Sequence, residues 1–102
     1  MPIDLTAYPK KMKLRWRWDG DDGTFITYQN PATGAISILN PVGAMIFAQS
    51  DGNHTVHQIV AEIVKAFEAP DVEQVTKDVA QFLEFLSQIG AVRMLDDLPP
   101  NG

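Results

Sequence analysis

The chain has 102 residues, 45% of them hydrophobic, with no cysteine and a formal net charge of -5. That composition supports one small domain around a single core. It excludes a disulfide scaffold, a thiolate metal site and a cysteine nucleophile, and its negative balance opposes broad nucleic-acid binding, which needs cations to displace counterions from phosphate. No apolar run approaches the ~18 residues of a membrane-spanning helix, and Met1 to Lys13 holds no apolar stretch of the secretory kind. A cytoplasmic protein with no membrane contact is expected.

Residues 1–12, with Pro2 and Pro9, read as an extended or frayed arm. From residue 13 hydrophobicity alternates: Leu14, Trp16 and Trp18 point one way, Lys13, Arg15 and Arg17 the other. This predicts a half-buried strand over 13–18. Asp19-Gly20-Asp21-Asp22-Gly23 breaks it with turn chemistry. Thr24 to Gln29, β-branched and aromatic, predicts a second strand. Asn30-Pro31-Ala32-Thr33-Gly34 is a second turn, and Ala35 to Leu39 a third strand with Ile36 and Ile38 on one face. Connections this short make an antiparallel meander.

At Asn40-Pro41 the period changes. Asn at N-cap and Pro at N1 start a helix, predicted over 41–49 and stopped by Ser50-Asp51-Gly52-Asn53. Thr55 with Gln58 forms a capping box, and Val56, Ile59, Val60, Ile63, Val64 and Phe67 form an apolar stripe on a helix over 56–67. Asp71 caps a last helix over 72–89, closed by Gly90. Ala91 to Leu95 can add a short strand, and 96–102, with Pro99-Pro100, reads as a flexible tail. The fold class is α+β, three antiparallel strands followed by three helices, the layout of a winged helix-turn-helix. The domain spans 13–95.

Catalytic constellations are absent. His54 and His57 lack further nitrogen or sulfur ligands, and Asp19, Asp21 and Asp22 lack the twelve-residue calcium pattern. No serine sits in a nucleophile elbow, and there is no glycine-rich phosphate loop. The sequence therefore predicts no enzyme, no metal and no cofactor. A DNA-reading helix is opposed by charge, because the last helix sets Glu73, Asp78 and Glu84 against Lys77 alone. An acidic winged-helix domain serving protein contacts in transcription is the alternative to the reading below.

Two surface features stand out. Lys10, Lys11, Lys13, Arg15 and Arg17 are five of the eight basic residues. They form either a solvated strand face or a docking patch for an acidic surface, in which Arg15 and Arg17 are expected to be exposed and to help dock a partner enzyme. On the last helix, the apolar positions from Val72 to Ile89 span about 120° at 100° per residue. Phe85 falls on the flank beside Asp78. It either covers the core's edge or walls an apolar groove in which Asp78 is a polar anchor.

The ordered set Leu39-Asn40, Asp51-Gly52, Thr55-Val56, Ile59, Asp78-Val79, Phe82-Leu83, Leu86 and Gly90 resembles the pyrroloquinoline quinone biosynthesis protein D (PqqD) family. The likeness runs from about residue 12 to 93. Thr24 to Pro31 departs from it, being less apolar than the quinone-pathway proteins and lacking their Tyr-Pro-Glu-like turn. The resemblance implies a recognition element for ribosomally made peptides. A leader peptide adds as a strand beside the third strand and packs into a groove against the last helix. The loaded protein then meets a modifying enzyme, often of the radical S-adenosylmethionine type. Carried onto this chain, the peptide site is Ala35, Ile36, Ser37, Ile38 and Leu39 with Val75, Asp78, Val79 and Phe82, and the flank residue Phe85 joins them if it walls the groove. Strand addition fits this physically: main-chain bonds give affinity, and pockets for alternate side chains give selectivity.

Overall fold

Turn chemistry sets the register of the sheet. Gly20 is left-handed (φ 92°), and its bare α-carbon lets the Phe25 ring pack within 2.5 Å of where a Cβ would stand. The structure, a computed structural model, describes residues 3–97. Its elements are β1 (Tyr8–Lys11), β2 (Trp16–Asp19), β3 (Phe25–Gln29), β4 (Ile36–Leu39), α1 (Pro41–Ala48), α2 (Val56–Phe67), α3 (Val72–Gln88) and β5 (Val92–Leu95). The fold is α+β: an antiparallel sheet in the order β2-β3-β4, three helices, and a second antiparallel pair, β1-β5. Of the expected tail, residues 98–102 lie outside the described residues.

Cross-strand partners share a face, which sorts the sheet into two sides. Trp16 pairs with Tyr28 and Tyr28 with Ser37, while Trp18 pairs with Ile26 and Ile26 with Leu39. This is the inner side, where Ile26, Tyr28 and Leu39 are buried against the helices. Arg17, Thr27 and Ile38 line the outer side, with Gln29 and Ile36 beside them.

The helices close the core through their own stripes. Asn40 caps α1, Thr55 and Gln58 complete the capping box of α2, and Asp71 caps α3. Phe47, Val56, Ile59, Val79, Leu83 and Leu86 meet at the centre, essentially without solvent exposure.

Two expectations are corrected. The first sheet strand begins at Trp16 rather than at residue 13. Trp16 and Trp18 do turn to the inner side, yet they are 36% and 46% exposed. The reason is coverage. α1 packs across β3 and β4 and reaches β2 through Phe47, whose ring stands edge-on to Trp16 at 5.3 Å.

The N-terminal arm makes a turn over Asp4 to Ala7, with Ala7 N–H donating to Asp4 O at 3.1 Å, and is extended over Tyr8–Lys11, where it pairs with β5. It is stitched to α2 as well. The amides of Val56 and His57, among the orphan donors of a helix N-terminus, donate to Ala7 O and Leu5 O, both at 3.0 Å. Lys11 Nζ donates to Phe47 O, Ala48 O and Ser50 O at 3.0–3.3 Å, closing the C-terminus of α1.

Candidate functional site

The sheet ends on an open edge at β4. Asn30 N–H donates to Ala35 O at 2.8 Å, and Gln29 N–H to Arg15 O at 2.9 Å. Antiparallel ladders alternate, so Tyr28 and Ile26 bond toward β4, and Ser37 and Leu39 toward β3. The N–H and C=O groups of Ile36 and Ile38 therefore face away from β3, where the described residues supply no neighbouring strand. Both isoleucine side chains are 68% exposed.

Next to this edge lies a hollow of about 280 Å³. Ile38, Leu39 and Asn40 form one wall, Val42, Gly43 and Ile46 of α1 the floor, and Asp78 and Phe82 of α3 the far wall. The asparagine is fixed by its cap role, its Oδ1 accepting from Gly43 N–H at 2.8 Å. Gly43 permits a close crossing: a Cβ there would stand 3.2 Å from Phe82 Cζ and 3.3 Å from Asn40 Oδ1. Asp78 is exposed at the rim, where one carboxylate oxygen accepts from Gln74 Nε2 at 2.9 Å.

The structure thus gathers Ile38, Leu39, Asp78 and Phe82 around one groove. It puts the other expected residues elsewhere. Val79 is 1% exposed and belongs to the core, with Val75 packed against it. Ser37 turns to the inner side of the sheet, Ala35 precedes the strand, and Phe85, 45% exposed, lies outside the groove lining. Sequence reading missed Asn40, Val42, Gly43 and Ile46. Gly43 carried a usable signal, because a glycine inside a helical pattern costs about 1 kcal/mol against alanine and so hints at a close approach.

A second hollow, of about 410 Å³, lies on the outer face of the sheet between Arg15, Arg17, Thr27, Gln29 and Ile36. Arg15 and Arg17 are both exposed there. Arg17 Nη2 is 3.4 Å from Asp19 Oδ2. The Asp19 carboxyl is held below its ordinary range by hydrogen bonds from the Thr27 hydroxyl and Gly20 N–H, with the Arg17 charge adding to them. The two histidines are not gathered into either hollow: His54 Nδ1 sits 3.0 Å from Asp51 Oδ1 in the α1–α2 loop, and His57 is exposed on α2. No helix among the described residues is long and apolar enough to cross a membrane.

Comparison with known proteins gives one family. The model for coenzyme PQQ synthesis protein D (PqqD) matches residues 29–92, from the end of β3 through the first residue of β5. No curated protein and no solved structure matches the chain. The matched segment is more than half of the sequence and contains β4, α1, α2 and α3 with the whole groove between them, and on that match the chain belongs to the PqqD family of coenzyme PQQ synthesis proteins.

Proposed function

We propose that this protein is a non-catalytic peptide chaperone. It takes the leader of a ribosomally made precursor peptide as an added strand on β4 and presents it to a modifying enzyme of the radical S-adenosylmethionine type. The observation that carries this reading is the pairing of an open strand edge with an apolar groove at its end. Outward N–H and C=O groups at Ile36 and Ile38 offer main-chain bonds to any extended peptide. The hollow under Phe82 accepts one or two of its apolar side chains, and Asp78 at the rim suits a cation or amide from the peptide. Family membership supports a role in the synthesis of coenzyme PQQ. Arg15 and Arg17, on the outer face and away from the groove, are the residues proposed to meet the enzyme through an acidic surface on it.

The test is a titration of isotope-labelled protein with synthetic leader segments of precursor peptides encoded near its gene. Amide shifts are expected at 35–39 and 74–85. Asp78→Asn removes charge at nearly constant shape and should weaken binding by ~1–3 kcal/mol, the scale of a charged hydrogen bond, with little loss of fold. Shifts confined to α2, with 35–39 silent, would reject this site.

A further inference from the structure

Among the described residues no strand neighbours β2 either, so the sheet has a second open edge there, and its chemistry differs from that of β4. We propose that a second copy of this chain pairs with it, antiparallel and edge to edge, giving a two-fold dimer in which the two three-stranded sheets become one of six strands.

The backbone permits it. Arg15, Arg17 and Asp19 bond toward β3, opposite Gln29, Thr27 and Phe25. By alternation the N–H and C=O groups of Trp16 and Trp18 face outward. Edge strands are ordinarily guarded against such pairing by a bulge, a proline or charges of one sign. Here the charges invite it. Lys13, Arg15 and Arg17 occupy the first half of the segment, Asp19, Asp21 and Asp22 the second, with Leu14, Trp16 and Trp18 alternating between them. A strand with a basic first half and an acidic second half is complementary to its own antiparallel copy.

With Arg17 on the two-fold axis, Arg15 lies opposite Asp19 of the partner subunit and Trp16 opposite Trp18 of the partner subunit, each contact occurring twice. Backbone parity agrees with this register: the tryptophans, whose amides point outward, form the hydrogen-bonded pairs, and Arg17 forms the non-bonded one. The two Arg17 side chains meet across the axis, each already 3.4 Å from an Asp19 carboxylate of its own chain. The exposed parts of Trp16 and Trp18 supply the apolar area. Elsewhere, charge repels a second copy, because outside residues 10–17 three basic residues stand against thirteen acidic ones. Only a few residues a side take part, so the interface is of the small, transient class. The pairing leaves both β4 edges at the far ends of the joined sheet, and it stands or falls independently of peptide binding.

The experiment is sedimentation velocity on the wild-type chain up to about 1 mM, the weak end of specific association, with amide hydrogen exchange followed over the same range. Mass should rise from one chain toward two, and the Trp16 and Trp18 amides should gain protection with concentration. Arg15→Asp and Asp19→Arg should each be monomeric. An equimolar mixture of the two should associate again, since each then offers the charge the other needs. A wild type that stays monomeric overturns the proposal. So does a dimer whose Trp16 and Trp18 amides still exchange freely, which would place the contact elsewhere, or a mixture of folded variants that remains monomeric. Asp19 also accepts bonds from Thr27 and Gly20, so if Asp19→Arg fails to fold, the exchange measurement on wild type decides alone.

Discussion

Lys11 illustrates how far one side chain departs from the role its sequence neighbours suggest. It sits in a run of cations that reads as solvated, yet its ammonium is half-buried. It donates to three carbonyls at the end of α1 and lies 5.5 and 5.6 Å from the Trp16 and Phe47 ring centres. Desolvation pushes its pKa below the ordinary lysine value, and the Asp51 carboxylate only partly opposes this. The sign of the stability effect follows. Between the lowered folded pKa and 10.5, the unfolded chain binds the extra proton, so this group's contribution grows as pH rises through that window and is lost as pH falls through the folded pKa. Lys11→Met keeps the stem but removes the Nζ donor: Ser50 O keeps the Lys11 N–H and Phe47 O the Ser50 N–H, while the part-buried Ala48 O loses its bond, and an unsatisfied polar group away from water costs ~1–3 kcal/mol. Urea melts of the two proteins should show that loss at pH 7, together with disappearance of the wild type's rise on the alkaline side. Equal midpoints at both pH values would mean the contacts contribute nothing. No periodicity or motif could have marked Lys11 out from Lys10 or Lys13, because its role depends on where the arm docks.

At the scale of elements, the groove is made by two helices and a strand end converging, and at Gly43 the Phe82 ring and the Asn40 side chain leave tight room for a side chain. Its backbone is ordinary helix, so a side chain there is strained by neighbours and not by φ. Gly43→Ala should leave stability within about 1 kcal/mol of wild type, since better helix propensity offsets the crowding of Phe82. Gly43→Val fills the floor of the hollow, and leader-peptide affinity should fall about tenfold or more, ~1.4 kcal/mol, with far-ultraviolet circular dichroism unchanged. A folded Val variant that binds as tightly as wild type would remove the hollow from the site. The elements themselves were legible because local chemistry and global fold agree: the period changes at Asn40-Pro41, Thr55 and Gln58 make their capping box, and Asp71 caps α3. The groove was only half legible. Of its α3 wall, Asp78 showed as a polar position on the flank and Phe82 came through the family resemblance, while Phe85, the flank's aromatic residue, lies outside the lining; the α1 floor depends on a crossing distance that no one-dimensional pattern encodes. The same blindness applies to Trp16 and Trp18. Alternation gives the side of the sheet a residue faces, but not whether a helix reaches far enough to cover it.

Over the described residues as a whole, the first and last strands fasten a domain whose groove and open sheet edges at β2 and β4 lie elsewhere. β1 and β5 pair from Tyr8 opposite Leu95 to Lys11 opposite Val92, so residues near the start and the end of the fold are joined. The arm also gives bonds inward: Lys11 N–H to Ser50 O at 2.7 Å and Met12 N–H to Ala91 O at 2.9 Å. It accepts at Pro9 O from Gly52 N–H at 2.8 Å and at Ala7 O and Leu5 O from the start of α2. Ala7 is 5% exposed and Pro9 is among the fully buried side chains. Two prolines made this segment read as a loose lead-in. Pro9 is nevertheless accommodated in β1: its missing N–H lies on the side away from β5, where β1 meets only residues 50–52 through the isolated bridge of Lys10 with Asp51, and there Pro9 serves as an acceptor, for Gly52 N–H. A chain beginning at residue 13 would lose at least five of these backbone bonds and expose two amides at the N-terminus of α2. At ~0.5–1.5 kcal/mol for each of five net bonds, the expected loss is roughly 2.5–7.5 kcal/mol, a large part of what a domain this size has. Urea unfolding should show the drop. Hydrogen exchange on the intact protein should show the Lys11 and Met12 amides opening only with global unfolding, because their acceptors lie at Ser50, just beyond the end of α1, and at Ala91, buried between α3 and β5. Amides in β1 that exchange as fast as a free peptide, with an unchanged midpoint for the shortened chain, would show instead that the arm merely rests on the domain. In that case the groove would owe its geometry to residues 13 onward alone.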